Sequence, residues 1–179
     1  SVLGFPVDRF LEARLRMNSE ATFEPLYKDS LIGHQHDYYS PHLVATRHAN
    51  GRDWWIVTFE RDGNKYFSFL LEPAGIRLMR EGTVDIEMEG GLGQTAFSNS
   101  GNFIARSDAL TIDAGQYIYL FSFDRCTGVV ESKERFHTSS GYFTGIAFSP
   151  NERYLYGDNN THLWQWDLQA DDIAMSQTL

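Results

Sequence analysis

The sequence predicts an all-β fold, a partial β-propeller of about three four-stranded antiparallel blades preceded by an N-terminal part-blade. Short runs of aromatic and β-branched residues alternate with turn residues along most of the chain, as in antiparallel strands. One strand–turn–strand pattern also recurs at a period near 50 residues, which is typical of propeller blades. A single antiparallel sandwich would contain as many short strands, but it does not require their equal spacing.

The first full copy of the pattern begins at His42. An Asn50-Gly51 pair, the strongest short hairpin signal, separates a first strand from the aromatic strand Trp54–Phe59. A second turn at Asp62-Gly63-Asn64 leads to the strand Tyr66–Leu71. A fourth strand follows, and two segments compete for it: Ile76–Met79 and Val84–Met88.

Three alanines mark the copies, because Ala45, Ala96 and Ala147 lie in matching strands 51 residues apart. The spacing predicts blades at residues 42–93, 94–144 and 145–179, the last ending in a strand over Ile173–Gln177. Residues 1–41 are predicted to be the end of a preceding blade and a connecting loop. We expect a strand over Phe10–Met17 there, although its apolar residues also fit a helical stripe.

The blade count implies neighbours beyond these residues. Fewer than four blades do not close a ring without exposed edges, so we expect further blades or a protein partner at the open edges. The chain begins without Met and without a basic segment leading into an apolar one, so we expect a processed chain or a fragment.

Charge and composition exclude some classes of function. The chain has 179 residues and a formal charge of -9, which disfavours binding to nucleic acid. No apolar stretch approaches the roughly 18 residues that a membrane helix needs, so we expect no membrane insertion. The single cysteine, Cys126, allows no intrachain disulfide.

The candidate binding residues surround the first hairpin. Charged and aromatic side chains concentrate there: Arg47, His48, Asn50, Arg52, Asp53, Trp54 and Trp55. They suit a catalytic or anion-binding cluster, but charged residues beside a turn also bond to local backbone and to each other. Trp54 and Trp55 should point to opposite faces, and strand aromatics usually serve packing. The sequence favours the packing interpretation.

Metal and catalytic chemistry have weaker signals, and we expect neither a metal, a cofactor nor a catalytic residue. His34 and His36 would share a strand face and suit Zn, Ni or Cu, but no further ligand is placed by spacing. Ser98 and Ser149 occupy the same repeat position before a turn, which indicates turn chemistry rather than a nucleophile. The segment Asp158–Thr161 lacks the spacing of a calcium loop, and Cys126 fits a turn residue.

Four segments carry a family resemblance: LVATRHANGRDWWIV, FDRCTG, IAFSPNERYLY and LWQWDLQADDI. Together they resemble the large secreted WD40-like and TolB-like β-propeller proteins of Bacteroidetes-type bacteria, many of which carry a sorting domain for type IX secretion. The resemblance covers the whole chain in outline and is tightest over residues 42–59 and 121–173. It implies a secreted or cell-surface location. It implies no particular activity, because the family is described by its repeats rather than by an activity.

These observations lead to a functional expectation. We expect a non-enzymatic scaffold or recognition module for protein or glycan partners, with binding residues in turns such as those holding Asn50, Arg52, Asn99 and Asn151. One alternative is a structural subunit whose open blade edges pair with neighbours. The other is a propeller hydrolase with its site in a missing part, since a fold alone does not decide function.

Overall fold

Antiparallel strands account for most of the described part of the chain. The computed structural model describes residues 11–19, 22–31, 42–60, 62–89, 92–108, 116–138 and 141–179. The strands are β1 (Leu11–Met17), β2 (Phe23–Leu31), β3 (Val44–Arg47), β4 (Trp54–Phe59), β5 (Gly63–Glu72), β6 (Gly75–Met88), β7 (Thr95–Phe97), β8 (Phe103–Ser107), β9 (Gln116–Asp124), β10 (Val129–Thr138), β11 (Gly145–Phe148), β12 (Tyr154–Asp158) and β13 (Leu163–Asp167). No helix in these ranges is long and apolar enough to cross a membrane.

The strands form sheets that follow chain order. The pairs run β3-β4-β5-β6 in the first sheet, β7-β8-β9-β10 in the second and β11-β12-β13 in the third, and β1-β2 is a separate two-stranded sheet. Every pair is antiparallel and joins consecutive strands, so each of the three larger sheets is a meander. The predicted all-β fold of three blade-like sheets and an N-terminal part-blade is confirmed.

The second sheet lies between the other two. The inner strand β7 contacts both β3 and β11, while the outer strand β10 packs on β6. One apolar cluster fills the first interface and includes Trp55, Val57, Phe59, Ile104 and Phe121. A second cluster fills the other interface and includes Leu120, Phe136, Leu155 and Trp166. This face-to-face stacking of neighbouring sheets buries the central sheet on both sides.

The repeat register differs by one residue from the predicted one. The same turn bond closes each copy, from the N–H of His48, Ser98 or Ser149 to the carbonyl of Asp53, Phe103 or Tyr154. Two residues before these donors stand Thr46, Ala96 and Ala147, which pair with Trp55, Ala105 and Tyr156. Ala45 is therefore the wrong match for Ala96, and the true spacings are 50 and 51 residues. A slip of one residue would turn every side chain to the other face.

Two predicted strands are also corrected. The competing segments Ile76–Met79 and Val84–Met88 belong to one continuous strand, β6, which has irregular pairing opposite Ser68 and Phe69. The predicted last strand over Ile173–Gln177 is wrong, because residues 174–176 form a 3₁₀ turn. Side chains stabilise that turn: Asp172 Oδ1 accepts the Met175 N–H, and the Ser176 hydroxyl donates to the Ile173 carbonyl. Only Thr178 beyond it pairs with β13, at Gln165.

Glycine is required where the β9–β10 turn meets the first sheet. Gly128 has a φ of 75°, and a Cβ there would lie 2.8 Å from ring atoms of Trp55. Gly51 has the same φ of 75°, but a Cβ there would meet nothing within 4 Å. A substitution at Gly51 therefore carries only the conformational cost of a side chain, whereas one at Gly128 adds a steric cost.

We expect Gly128→Ala to destabilise the protein more than Gly51→Ala. Both changes force alanine into the left-handed region, at about 1–2 kcal/mol each. Gly128→Ala adds overpacking against the indole, at about 1–3 kcal/mol. Urea unfolding of the two variants measures the difference. Equal losses of unfolding free energy would show that the Trp55 contact yields without cost.

Candidate ligand-binding groove between the first and second sheets

Asp53 holds the first turn together. Its carboxylate, 4% exposed, accepts bonds from Arg52 Nε at 2.7 Å, Arg52 Nη2 at 3.0 Å and Asn50 Nδ2 at 2.8 Å. The Arg52 guanidinium and then the Asn50 amide lower the pKa of Asp53 to about 2. Asn50 Oδ1 in turn accepts the N–H groups of Arg52 and Asp53. These three predicted site residues are thus engaged in the turn itself.

His48 and Trp55 serve the sheet interface. His48 Nδ1 accepts the Asn50 N–H at 3.0 Å, and its ring stacks on Trp55 with 5.3 Å between centroids. Trp55 is only 1% exposed, and its Nε1 donates to the Arg125 carbonyl at 2.8 Å. The indole therefore packs on the turn after β9 and lies away from solvent.

Arg47 at the end of β3 and Trp54 at the start of β4 remain exposed to solvent. Trp54 is 39% exposed, and the Arg47 guanidinium lies 5.4 Å from the centroid of its ring. They line a groove of about 560 Å³ together with Asn99, Ser100 and Arg125 of the second sheet. The other lining residues are apolar or carry hydroxyl groups, and none of the lining residues is acidic. We call this feature the cationic groove.

Arg125 is fixed at the floor of the cationic groove. Its Nε donates to the Arg47 carbonyl at 2.8 Å and its Nη1 to the Ser100 carbonyl at 2.9 Å. The Arg125 carbonyl accepts the Ala49 N–H at 3.1 Å. Arg125 lies 78 residues from Arg47 along the chain, so no local sequence pattern could predict that the two residues are in contact.

A second charged cluster lies inside the protein, and the sequence did not indicate it. Arg106 and Asp108 are 0% and 2% exposed and form an ion pair with 3.0 Å between Nε and Oδ1. His42 is also buried, with Nδ1 2.8 Å from the Thr95 hydroxyl and Nε2 3.7 Å from Asp108 Oδ1. Burial raises the pKa of Asp108, although Arg106 opposes the shift. The only available signal was a charged Arg-Ser-Asp run ending an apolar strand.

The arginine of this cluster is fully engaged in the interface between the first and second sheets. Arg106 Nη2 donates to the Glu89 carbonyl at 2.9 Å, and Nη1 contacts Met88 Sδ at 3.2 Å. Its guanidinium also lies 5.7 Å from the Phe59 ring and 5.9 Å from the Tyr119 ring. Arg106, on β8, thereby contacts β4 and β6 of the first sheet and β9 of the second.

The remaining candidates have local roles. Ser98 and Ser149 hydroxyls accept the N–H groups of Phe103 and Tyr154, which confirms the predicted turn chemistry. Asp158 and Asn159 side chains accept neighbouring backbone N–H groups, and Cys126 is exposed in its turn. Among the described residues, no group of three or more His, Cys, Asp or Glu could hold a metal ion. His34 and His36 lie outside the described residues.

We expect Arg106→Met to destabilise the fold strongly, by about 3–5 kcal/mol, because it leaves the Asp108 carboxylate buried without its cation. Arg153→Met is the matched control, because it breaks an exposed pair with Asp167 and should cost little. Urea unfolding measures both variants. A double variant, Arg106→Met with Asp108→Leu, should recover part of the loss. Equal small losses in the two single variants would contradict a structural role for the buried pair.

We expect Asp53 to contribute stability that is lost at low pH. Its folded pKa of about 2 lies below the ordinary value of 3.8. The contribution is therefore fully present above the ordinary value and disappears as the pH falls towards 2. Unfolding free energies measured between pH 5 and pH 2.5 should fall less steeply for Asp53→Asn than for the unchanged protein. Parallel curves would show that Asp53 is not preferentially ionised in the folded state.

Comparisons with known proteins identify the fold alone. No family model matches the chain, and no curated protein sequence matches it. A protein of Bacteroides uniformis described as a putative 6-phosphogluconolactonase superposes on 96% of this chain with a TM-score of 0.63 and 14% identity, over 49% of its own length. A structural-genomics protein of Lactobacillus plantarum superposes on 89% with a TM-score of 0.58 and 15% identity, over 48% of its length.

A third solved structure, the periplasmic gluconolactonase PpgL of Pseudomonas aeruginosa, matches 86% of this chain with a TM-score of 0.57 and 16% identity. The match covers 42% of that protein. The chain thus spans about half the length of the solved structures that it resembles. With three stacked antiparallel sheets and these structural neighbours, the chain has a β-propeller fold.

Proposed function

We propose that the chain is a non-enzymatic recognition module of a β-propeller, which binds a negatively charged partner in the cationic groove. The observation that carries the proposal is the local reversal of charge. The protein has a formal charge of -9, yet Arg47 and Arg125 line the groove and none of the lining residues is acidic. The nearby Glu152 carboxylate is already bound by the N–H and hydroxyl of Ser100. Complementary charge steers partners towards such a surface and selects among them.

The groove is also built for binding. Arg47 is held by the Trp54 ring and Arg125 by two backbone carbonyls, so both cations are positioned before a ligand arrives. Such preorganisation lowers the entropic cost of binding. Asp53 in its turn and the Arg106–Asp108 pair, by contrast, are buried in contacts that maintain the fold.

A hydrolase is the second candidate, and the specific observation in its favour is the name given to several structural neighbours. The Bacteroides uniformis protein is described as a putative 6-phosphogluconolactonase, and the Pseudomonas aeruginosa protein as a periplasmic gluconolactonase. Identities of 14% and 16% indicate fold rather than activity. The Arg106–Asp108 pair is at most 2% exposed, so a substrate would have to displace core residues to reach it.

The proposal also concerns the cellular location of the protein and what covers its sheet edges. Resemblance to secreted propeller proteins supports a bacterial cell-surface or extracellular location. Further blades or a protein partner would cover the edges of the first and third sheets, since a propeller must cover or pair such edges. A structural subunit that assembles through those edges would be compatible with the same fold, but it would not require a cationic groove.

Titration with two polyanions tests the proposal. Polygalacturonate and poly-L-glutamate are added separately, and binding is followed by calorimetry and by tryptophan fluorescence. We expect at least one of them to bind, with an affinity that falls in high salt and about tenfold or more in Arg47→Gln. Arg77→Gln is the matched control, because it removes an equal charge on the outer strand β6. Its affinity should stay within about twofold of the unchanged protein.

The hydrolase candidate is tested with the same proteins. We expect no hydrolysis of glucono-δ-lactone above the buffer rate. Turnover that Arg47→Gln abolishes would identify the groove as an active site and overturn the proposal. Failure of both polyanions to bind would overturn it as well.

A further inference from the structure

We infer that the ligand of the cationic groove is an acidic saccharide, whose ring contacts Trp54 while its acid group pairs with Arg47 and Arg125. The inference rests on the proposed function and specifies the chemistry of the partner. It follows from the chemical groups that line the groove. These are two cations, one exposed indole and several amide and hydroxyl groups.

The volume of the groove suits a small ligand. About 560 Å³ falls within the usual range for small-molecule sites, roughly 300–1,000 Å³. Its walls come from two sheets, with Arg47 and Trp54 on the first and Asn99 and Arg125 on the second. A ligand seated there would touch both sheets at once.

The two guanidinium groups define the acid end of the ligand. A guanidinium binds carboxylate or sulfate through paired N–H donors, which gives charge and direction together. Arg47 is exposed, and its one hydrogen bond is a long contact of 3.4 Å from Nη1 to the Gly51 carbonyl. The described residues therefore engage little of its donor capacity, and Arg47 lines the groove.

Trp54 and its polar neighbours define the other end. A pyranose presents an apolar face of C–H groups and an edge of hydroxyl groups, and an aromatic ring beside amides complements both. Trp54 is 39% exposed, and Asn99 and Ser100 of the second sheet line the same groove. An acidic peptide would satisfy the arginines but has no rigid apolar face to cover the indole. For this reason a saccharide fits the groove better.

Short ligands of matched size test the inference. Calorimetric titrations use trigalacturonate, a sulfated disaccharide, uncharged maltotriose and a hexapeptide of Asp and Glu. We expect one or both acidic saccharides to bind at least about tenfold more tightly than maltotriose and the peptide. The carboxylated and sulfated ligands distinguish the two sources of the acid group, and either one supports the inference.

Substitutions in the groove should separate the two contacts. Arg47→Gln should weaken binding of the acidic saccharide about tenfold or more and bring it close to the affinity for maltotriose. Trp54→Ala should weaken it about tenfold as well, while Trp54→Phe, which keeps a ring, should lose less. Arg77→Gln should leave the affinity within about twofold. Unfolding midpoints are measured for each variant so that a loss of fold is recognised.

The outcomes distinguish the inference from the proposed function. Binding of the peptide alone would overturn the saccharide inference and leave a module for charged partners in place. Equal binding of acidic and neutral sugars, or binding that Trp54→Ala and Arg47→Gln do not change, would also overturn it. Absence of binding to every anion in both sets of experiments would overturn the proposed function too.

Discussion

Packing of the first sheet on the second depends on the indole of Trp55. A sheet with apolar residues on both faces must bury each face against a neighbour. Trp55 fills that space, donates from Nε1 to the Arg125 carbonyl and stacks on His48. The turn after β9 can approach closely because Gly128 lacks a side chain over the ring. That same turn carries Arg125 to the cationic groove, so the groove is a product of the Trp55 contact.

The fold was predictable because its signals are local and repeated. Turn residues such as Asn50-Gly51 and the recurring strand pattern led to three stacked meanders, as the structure shows. The register was harder, because Ala45 and Thr46 are both small and only the pairing with Trp55 decides between them. The last segment failed because Asp172 and Ser176 bond to nearby backbone, a competition that strand propensity does not describe.

The site was predictable only in part. The sequence grouped seven residues around the first hairpin, and strand alternation then divided Trp54 from Trp55, placing one in solvent and the other in the core. Arg125 and Asn99 come from the next sheet, and neither has a sequence neighbour that marks it as part of a groove. The buried pair of Arg106 and Asp108 was missed for a similar reason, since its partners Met88 and Glu89 belong to the preceding sheet.

Each interface between sheets is secured by different chemistry. At the first, Arg125 reaches two carbonyl groups from a turn. At the second, the Glu152 carboxylate accepts the N–H and hydroxyl of Ser100, and Gln94 Oε1 accepts the Ile146 N–H. Glu152 holds a φ of 60°, where the matching residue of the second sheet is Gly101. The three copies are consequently not interchangeable: a duplicated or transplanted blade would meet neighbours that lack its partners, so the order of the blades is itself encoded in the sequence.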